Sequence, residues 1–365
     1  MAEPAGPKPG APLERLGWSD FFQEQLGDES PPPLIARVVE EQRGAYRVAG
    51  DFDGWAEVSG RVRHDARSAA DFPAVGDWVC VAAPAGTERA LIHRRLERRS
   101  TISRKAAGRT VEQQVVAANV DTIFLVTALA GDLNPRRIER YLAVVREAGA
   151  VPVVVLNKTD LSTSPRNEAE ALRVRLPFVD VLPVSARNAE GLDGLNPYLT
   201  PAATVALIGS SGVGKSTLVN RLLGRDLLKT AETRDADGKG RHTTTSRHLV
   251  ELPGGALLID TPGMRELQPW VDETAVAETF EDIAELSGHC RFTNCAHVTE
   301  PGCAVLEAIA QGTLDTARLE HFRHLGREVA FEERKRDKSA AAEQKRRWKK
   351  IHQVQKTIYR DRDRS

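Results

Sequence analysis

The sequence predicts three folded parts in series: a small N-terminal β-barrel, a mainly parallel α/β sheet, and a C-terminal group of helices around a Cys/His cluster. Short strands separated by Gly and Asp turns fill residues 34–100. From about residue 110 apolar runs alternate with helical patterns, and further on three of the four cysteines fall within 14 residues. The predicted parts are a Pro-rich flexible N-terminus (1–33), the barrel (34–105), the sheet domain (106–272), the Cys/His domain (273–330) and a basic tail (331–365).

The barrel prediction rests on five short strands in about seventy residues. This density of strands is typical of the OB-fold, a five-stranded barrel that binds oligonucleotides or oligosaccharides. A generic small β-domain is the alternative, because it has the same number of strands. The predicted strands are Leu34–Val39, Ala45–Ala49, Trp55–Val58, Trp78–Ala82 and Ala90–His93.

The α/β prediction rests on continuous apolar runs, which suit strands that are buried on both faces. After the first run, Ile138–Ala148 carries one apolar stripe at helical spacing and stops before Gly149. Strands that alternate with helices favour a mainly parallel sheet covered on both faces. The last two runs flank Pro253-Gly254-Gly255 and predict a hairpin. The runs are Thr122–Leu129, Val151–Leu156, Val179–Val184, Thr204–Ile208, Arg247–Leu252 and Ala256–Ile259.

The composition excludes several classes of protein. With 41% hydrophobic residues, 28% charged residues and no apolar run near the ~20 residues of a membrane span, the chain is an ordinary soluble one. Its start lacks a basic segment followed by an apolar core, so we expect no signal peptide, no membrane association and a cytoplasmic location. The four cysteines, three of them clustered, indicate a metal site in a reducing compartment rather than a disulfide framework.

The zero net charge hides two basic stretches. Residues 331–365 contain 13 Lys+Arg against 6 Asp+Glu, and residues 92–109 contain seven cations against one acid. Such stretches attract polyanions at low salt. A solvated tail and an exposed strand edge are the alternative, and charge alone does not decide between the two interpretations.

A glycine-rich segment after the predicted strand Thr204–Ile208 has the Walker A pattern, and a predicted helix follows it. Glycines let backbone N–H groups curl around phosphate oxygens, and the helix presents its positive N-terminal end. In this pattern Lys215 reaches the β- and γ-phosphates and the Ser216 hydroxyl binds Mg²⁺. The predicted phosphate-binding residues are Gly209, Ser210, Ser211, Gly212, Val213, Gly214, Lys215, Ser216 and Thr217.

The segment Asp260-Thr-Pro-Gly263 follows the predicted strand Ala256–Ile259. An acidic residue there can hold Mg²⁺ directly or through water, and the N–H of Gly263 can contact the γ-phosphate. The D-x-x-G pattern is common by itself. Its place after a strand, about fifty residues beyond the Walker loop, favours a catalytic role.

Two further motifs predict a guanine site. An Asp carboxylate, here Asp160, can accept hydrogen bonds from the N1–H and N2–H₂ edge of guanine, and adenine lacks this pair of donors. A Ser-Ala pair after another predicted strand can offer a backbone N–H to guanine O6. The predicted guanine-site residues are Asn157, Lys158, Thr159, Asp160, Ser185 and Ala186.

The guanine motifs precede the phosphate loop in this chain, whereas in most GTPases they follow it. A sheet domain whose termini lie close together can be rearranged in this way without losing its core. The sequence therefore predicts a circularly permuted P-loop GTPase domain. Its switch segments, 226–248 and 260–270, lead directly into the C-terminal helices.

Three cysteines and one histidine form a closed set of four metal ligands. Three thiolates and an imidazole suit a tetrahedral structural Zn²⁺ and leave no open position for catalysis. A pair of disulfides or free core thiols is the alternative. The odd number of thiols in the cluster, which is three, and the intervening histidine disfavour it. We expect one zinc ion per chain, bound by Cys290, Cys295, His297 and Cys303.

The order of these motifs, together with Arg241-His-Thr-Thr-Thr245, the zinc set and the small β-domain, resembles the circularly permuted GTPases that depend on the bacterial small ribosomal subunit. The resemblance covers about residues 34–330. It implies an OB-fold, a GTPase domain and a zinc domain that contacts ribosomal RNA, in a factor that acts late in maturation of that subunit. It also implies that residues 157–160 and 209–217 bind GTP.

Hydrolysis is expected to be slow unless another group of the chain orients the attacking water, or a partner orders the switch segment. Many GTPases place a Gln directly after D-x-x-G to orient water, whereas this chain has Met264 there, which cannot hydrogen-bond usefully to water. His242 is the nearest polar candidate, with a solvated loop histidine as the alternative. Either Thr243 or Thr244 is expected to supply the switch ligand to Mg²⁺. The expected catalytic residues are Lys215, Ser216, His242, Asp260 and Gly263, and the expected Mg²⁺ ligands are Ser216, Thr243, Thr244 and Asp260.

The predicted function is that of a monomeric factor that binds the small ribosomal subunit and its rRNA and cycles between GTP and GDP. The subunit is expected to stimulate hydrolysis, and hydrolysis to release the factor. The alternative is a GTP-gated RNA-binding module whose hydrolysis is incidental. A metallochaperone GTPase would need an open or labile metal site, and four closed ligands argue against it.

Overall fold

The computed structural model describes residues 12–27, 30–42, 44–83, 89–105, 113–224, 247–260 and 273–331. The described residues up to 260 belong to one compact unit, and those from 273 onward belong to a second. The first unit contains the barrel and the α/β sheet, and the second contains the Cys/His cluster. Among the described residues, no helix combines the length and apolarity needed to cross a bilayer.

The segment before the barrel is folded from residue 12 to residue 27. It consists of a 3₁₀ turn, the short helix α1 (Asp20–Gln23) and a second 3₁₀ turn. Leu16 and Phe22 are buried, and the Trp18 ring meets the barrel residue Trp78 edge-on at a centroid distance of 4.8 Å. The folded segment differs from the flexible N-terminus expected from its many prolines, because these apolar side chains are buried in the core or pack against the barrel.

The barrel consists of five strands and one short helix. The elements are β1 (Leu34–Gln42), β2 (Ala45–Gly50), β3 (Gly54–Val58), α2 (Gly60–Asp65), β4 (Trp78–Ala82) and β5 (Arg89–Arg95). Their strand order is β1-β2-β3-β5-β4, and β4 pairs with β1 to close the barrel. Strands β3 and β5 are parallel, and the other pairs are antiparallel. This closed, five-stranded arrangement confirms the OB-type barrel.

A two-stranded hairpin and an α/β sheet follow the barrel. The helix Pro135–Glu147 begins after Asn134, whose side chain accepts a hydrogen bond from the Arg137 N–H. It ends before Gly149, which has a positive φ of 76°. The elements are β6 (Thr101–Lys105), β7 (Gln113–Ala118), β8 (Thr122–Ala128), α3 (Leu129–Asp132), α4 (Pro135–Glu147), β9 (Val151–Asn157), α5 (Pro165–Arg175), β10 (Asp180–Pro183), β11 (Thr204–Ile208), α6 (Lys215–Leu223), β12 (Arg247–Glu251) and β13 (Leu257–Asp260).

The strand order of the α/β sheet is β10-β9-β8-β11-β13-β12. All neighbouring pairs are parallel except β13 and β12, which form the predicted hairpin. Strands β9 and β10 lie on one side of β8, whereas β11, β12 and β13 all lie on its other side, so the strand order reverses between β8 and β11. Ligands of open α/β sheets bind at the carboxyl ends of the strands beside such a reversal.

The barrel and the α/β sheet share strands in one continuous sheet. Strand β1 pairs with β2 and β4 inside the barrel, and its C-terminal end also pairs antiparallel with β12. The partners across this junction are Glu40 with His248 and Glu41 with Arg247. The Arg247 guanidinium lies 2.9 Å from the Glu41 carboxylate, so an ion pair supports the main-chain pairing.

A buried arginine also joins the two parts. Arg37, on β1, is only 1% exposed. Its guanidinium donates to the carbonyls of Gly76 at 3.1 Å and Asn119 at 3.0 Å, to the Thr204 hydroxyl at 3.0 Å, and to the Leu16 carbonyl. Burial lowers the pKa of Arg37 to about 10, so the side chain stays charged at neutral pH. The cation is therefore satisfied by groups from the N-terminal segment, the barrel and the α/β part.

The basic stretch 92–109 is only partly available as a cationic surface. The Arg98 side chain is 8% exposed and makes two hydrogen bonds of 2.7 Å to the buried carboxylate of Asp77. Arg99 lies 3.0 Å from the Asp121 carboxylate. The expectation that this whole stretch attracts polyanions is thus wrong for these two residues, because their charges are neutralised within the chain.

The second unit is helical around an aromatic and apolar core. Its helices are α7 (Glu273–Thr279), α8 (Glu281–Ser287), α9 (Ala304–Ala310) and α10 (316–331). Arg318, on α10, donates to the Asp282 carboxylate at 2.6 and 2.7 Å and lies over the Phe280 ring at 4.8 Å. These contacts fasten α10 to the connection between α7 and α8.

Candidate functional site

The phosphate loop connects β11 to α6 at the carboxyl edge of the sheet. Gly209 has a φ of 155°, and a Cβ there would lie 2.1 Å from the Val126 carbonyl oxygen. Gly214 has a φ of 96°, and a Cβ there would lie 2.3 Å from the Asn157 side-chain nitrogen. The loop therefore needs glycine at both positions, for backbone conformation and for space.

Lys215 is the first residue of α6, and its ammonium group folds back over the loop. It donates to the carbonyl of Gly209 at 2.6 Å and to the carbonyl of Ser210. Ser216 and Thr217 follow in the first turn of the same helix. The lysine charge and the helix N-terminus thus share one location, which suits the phosphates of a nucleotide.

The side chain of Asn157 joins the guanine motifs to the phosphate loop. Its amide nitrogen donates to the Val213 carbonyl at 2.8 Å, and its amide oxygen accepts from the Ala186 N–H at 3.0 Å. Asn157 is only 2% exposed. One buried side chain therefore fixes three predicted segments that are distant in sequence.

The Asp160 side chain is exposed beside this junction. Its carboxylate accepts a hydrogen bond of 2.6 Å from the Ser185 hydroxyl. Lys158 adopts a positive φ of 63°, and Thr159 begins the 3₁₀ turn that carries Asp160. Ser185, from the Ser-Ala pair, thus orients the Asp160 carboxylate, which stays accessible to a guanine base.

Asp260 ends β13, beside the strand that leads into the phosphate loop. The register pairs Ile259 with Ala206, and both strands end at the same edge of the sheet. A carboxylate from Asp260 and a hydroxyl from Ser216 are oxygen ligands of the kind that Mg²⁺ prefers. The other predicted switch residues, His242, Thr243, Thr244, Gly263 and Met264, lie outside the described residues.

The predicted zinc ligands lie together in the second unit. Their four ligand atoms are all within 4.8 Å of one another. The Sγ atoms of Cys290 and Cys303 are 3.8 Å apart, and His297 Nδ1 lies 3.6 Å from the first and 3.4 Å from the second. Tetrahedral zinc, with bonds of about 2.3 Å to sulfur and 2.0–2.1 Å to nitrogen, requires separations of roughly 3.8 and 3.6 Å. The separations among Cys290, His297 and Cys303 match these values, and the Cys295 thiol lies within 4.8 Å of the other ligand atoms, so the set of donors suits zinc.

The protonation of the cluster also suits a metal. Burial, followed by the charge of Arg323, lowers the pKa of His297 and favours the neutral imidazole. Burial opposes ionisation of Cys290, but backbone N–H groups at the start of α9 outweigh it and lower the pKa of this thiol. Burial, with the two neighbouring thiols, raises the pKa of Cys295 to about 11. A bound cation would favour the thiolate form of Cys295 over its thiol.

Two features around the cluster carry no signal in the sequence. The Ser287 hydroxyl lies 3.0 Å from Nε2 of His297 and donates to the Ile283 carbonyl, so it fixes the imidazole with Nδ1 toward the thiols. Glu300 accepts hydrogen bonds from its own backbone N–H and from those of Val298 and Thr299, which lowers its pKa to about 2. Serine and glutamate are too common in helix ends and turns for either role to be predicted.

Comparison with known proteins gives consistent results. The RsgA GTPase family profile matches residues 95–270. The small ribosomal subunit biogenesis GTPase RsgA of Opitutus terrae is 48% identical over 358 residues, which cover 94% of this chain and 97% of that protein. The crystal structure of YjeQ from Thermotoga maritima has a TM-score of 0.63 at 24% identity and covers 81% of this chain and 98% of its own.

The crystal structure of YloQ, a circularly permuted GTPase, has a TM-score of 0.60 at 25% identity and covers 84% of this chain and 98% of its own. The permuted motif order therefore occurs on a known fold. Identity of 48% over nearly the full length of both chains establishes the relationship to the Opitutus protein. This chain therefore belongs to the RsgA GTPase family and is a hydrolase that acts on GTP.

Proposed function

We propose that this protein is a GTP-hydrolysing factor that acts late in maturation of the small ribosomal subunit. The observation that carries the proposal is the buried Asn157 side chain, whose hydrogen bonds to Val213 and Ala186 join the predicted guanine motifs to the predicted phosphate loop. The Opitutus relative, named for biogenesis of this subunit, aligns over 97% of its length. Work on ribosomal subunits would place the factor in the cytoplasm, and we propose that it acts as a monomer.

The nucleotide would lie along the carboxyl edge of the sheet. Backbone N–H groups of 209–217 would hold the phosphates, with Lys215 on the β- and γ-phosphates. Asp160 would accept from the guanine edge. Ser216, Asp260 and either Thr243 or Thr244 would hold Mg²⁺, which when bound neutralises charge on the β- and γ-phosphates.

Hydrolysis would depend on a partner. Met264 stands where many GTPases have the Gln that orients water. We propose that contact with the subunit orders the segment around His242, so that this side chain can orient the attacking water. The GTP form would bind the subunit more tightly than the GDP form, so hydrolysis would release the factor. Linkage then requires the subunit to tighten GTP binding by the same factor.

The second unit would hold one structural Zn²⁺ and contact rRNA. The proposed ligands are Cys290, Cys295, His297 and Cys303. The separations among Cys290, His297 and Cys303 match tetrahedral zinc, and Cys295 lies within 4.8 Å of them. The basic residues of 331–365 would add phosphate contacts, whose strength falls steeply with salt. The zinc site would shape this unit and take no part in hydrolysis.

Small ribosomal subunits are expected to stimulate GTP hydrolysis by roughly a hundredfold or more, since ordering a catalytic group accelerates other GTPases by about 10³–10⁵. The measurement is phosphate release at fixed protein concentration with purified small subunits, and large subunits serve as the control. Small subunits that bind without changing turnover would instead support a GTP-gated RNA-binding module. Equal subunit affinity with GDP and with a non-hydrolysable GTP analogue would contradict release by hydrolysis.

The Asp160→Asn variant is expected to lose affinity for GTP by about tenfold to a hundredfold. The Asn amide keeps one oxygen acceptor, so the variant loses one of two charge-assisted hydrogen bonds, which contributes about 1.5–3 kcal/mol. The variant should gain affinity for xanthosine triphosphate, whose O2 can accept from the new amide. Binding is measured by calorimetry, with Asp193→Asn, an exposed Asp of the same sheet domain, as control. Wild-type protein that binds ATP as tightly as GTP would contradict the guanine site.

A further inference from the structure

A line of ionisable side chains crosses the junction between the barrel and the α/β sheet. The registers place Arg47 of β2 opposite Glu40 of β1, Glu40 opposite His248 of β12, and His248 opposite Asp260 of β13. Residues directly opposite each other on adjacent strands project to the same face, with Cβ atoms about 4.5–5.5 Å apart. The line therefore ends at the proposed Mg²⁺ ligand Asp260.

The contacts at the centre of this line are close and shielded from water. Nδ1 of His248 lies 3.7 Å from the Glu40 carboxylate, and the two side chains are only 15% and 10% exposed. The Gln42 side chain donates to the same carboxylate. Glu40 is therefore held by its own strand while it faces the imidazole.

The junction fixes which residue faces Asp260. A shift of one residue in the pairing of β1 with β12 would turn every side chain to the other face. The ion pair between Glu41 and Arg247 on the opposite face opposes such a shift. Strand β1 also runs parallel to β13, so its C-terminal end lies at the edge where the nucleotide would bind.

We propose that Glu40 and His248 are positioning residues for Asp260. His248 acts there as an imidazolium, which carries a proton on each ring nitrogen: Nδ1 faces the Glu40 carboxylate, and Nε2 donates to one oxygen of the Asp260 carboxylate. The remaining oxygen is then presented to Mg²⁺. A strand of the barrel thereby becomes part of the metal–nucleotide site. The inference rests on the proposed role of Asp260 as an Mg²⁺ ligand.

The experiment measures how Mg²⁺ tightens the binding of a fluorescent GDP analogue to the full chain. Glu40→Gln and His248→Asn are each expected to weaken the apparent Mg²⁺ affinity of the nucleotide complex by about tenfold, the loss that supporting partners of metal ligands typically show. Binding of the analogue in EDTA should change by less than about twofold, because the guanine and phosphate sites remain. Unchanged binding of the analogue in EDTA also shows that the variants fold.

Glu41→Gln is the matched control. It removes a carboxylate from the same strand and breaks an ion pair with the same partner strand, but on the opposite face. It should leave the Mg²⁺ affinity unchanged, and the double variant Glu40→Gln/His248→Asn should be no worse than either single one. Unchanged Mg²⁺ affinity in the single variants, or an equal loss in Glu41→Gln, overturns the positioning role.

The variant Asp260→Asn separates this inference from the proposed function. If it abolishes the effect of Mg²⁺ while Glu40→Gln and His248→Asn have none, Asp260 is a ligand and the positioning role fails. If the effect of Mg²⁺ survives Asp260→Asn, the proposed metal role of Asp260 fails and the inference falls with it.

Discussion

The Lys215→Ala variant is expected to lower GTP hydrolysis by roughly a hundred- to a thousandfold, with the fold unchanged. The lysine ammonium lies over the phosphate loop, where it donates to the carbonyls of Gly209 and Ser210. Charge that develops on the transferring phosphoryl group needs a fixed cation there, and loss of one such group typically costs about 10²–10³ in rate. Single-turnover hydrolysis with bound small subunits measures the effect.

The fold should survive because the Lys215 ammonium is directed over the loop, where it donates to two carbonyls, while Val213 and Leu218 beside it supply the buried apolar contacts of the core. Circular dichroism and thermal unfolding check this. Arg166→Ala, which removes an exposed cation from α5, is the control for a general loss of positive charge. Hydrolysis within a few-fold of wild type in Lys215→Ala would refute the assignment of the loop.

The Cys303→Ser variant is expected to lose its zinc and most of the folded structure of the second unit. Structural zinc contributes about 10–16 kcal/mol of apparent binding free energy in small zinc domains, and this energy is coupled to folding. The Sγ of Cys303 also accepts the Leu306 N–H at the start of α9, a role that a serine hydroxyl can keep. The substitution therefore removes the metal ligand while preserving the helix cap.

Metal analysis of freshly purified protein and hydrogen exchange of residues 281–310 measure this effect. Cys80→Ala is the matched control, because Cys80 is buried in the barrel and lies outside the cluster. Nucleotide affinity should change little in either variant, since the proposed nucleotide site lies in the other unit. Wild-type protein without bound zinc would exclude the proposed metal.

Much of the fold follows from local patterns in the sequence. The predicted strand Thr204–Ile208 has the observed bounds, and the glycine-rich loop after it leads into a helix as expected. Apolar runs and glycines are sufficient here because burial on both faces and positive φ each restrict the amino acid locally. The order of motifs likewise predicts the permutation, since it is a property of the sequence itself.

Long-range pairing could not be predicted in the same way. Strand β1 extends to Gln42, beyond the predicted end at Val39. Two of the added residues, Glu40 and Glu41, pair with β12, about 200 residues later, as well as with β2. The N-terminal segment looks flexible by its prolines, yet Leu16 and Phe22 are buried. The bond from Asn157 to Val213 joins residues whose separation in sequence gives no hint of contact. Such contacts depend on where the whole chain packs.

The shared strand β1 has a consequence for how this chain could be divided. Removing the barrel would leave β12 as a bare edge strand, with an unpaired row of N–H and C=O groups at Arg247 and His248. It would also remove Arg37, which satisfies the Asn119 carbonyl and the Thr204 hydroxyl. An excised catalytic fragment would therefore be prone to aggregate through that edge. We therefore expect the OB-type barrel and the α/β sheet, which share one compact unit and one continuous sheet, to unfold together rather than as independent domains.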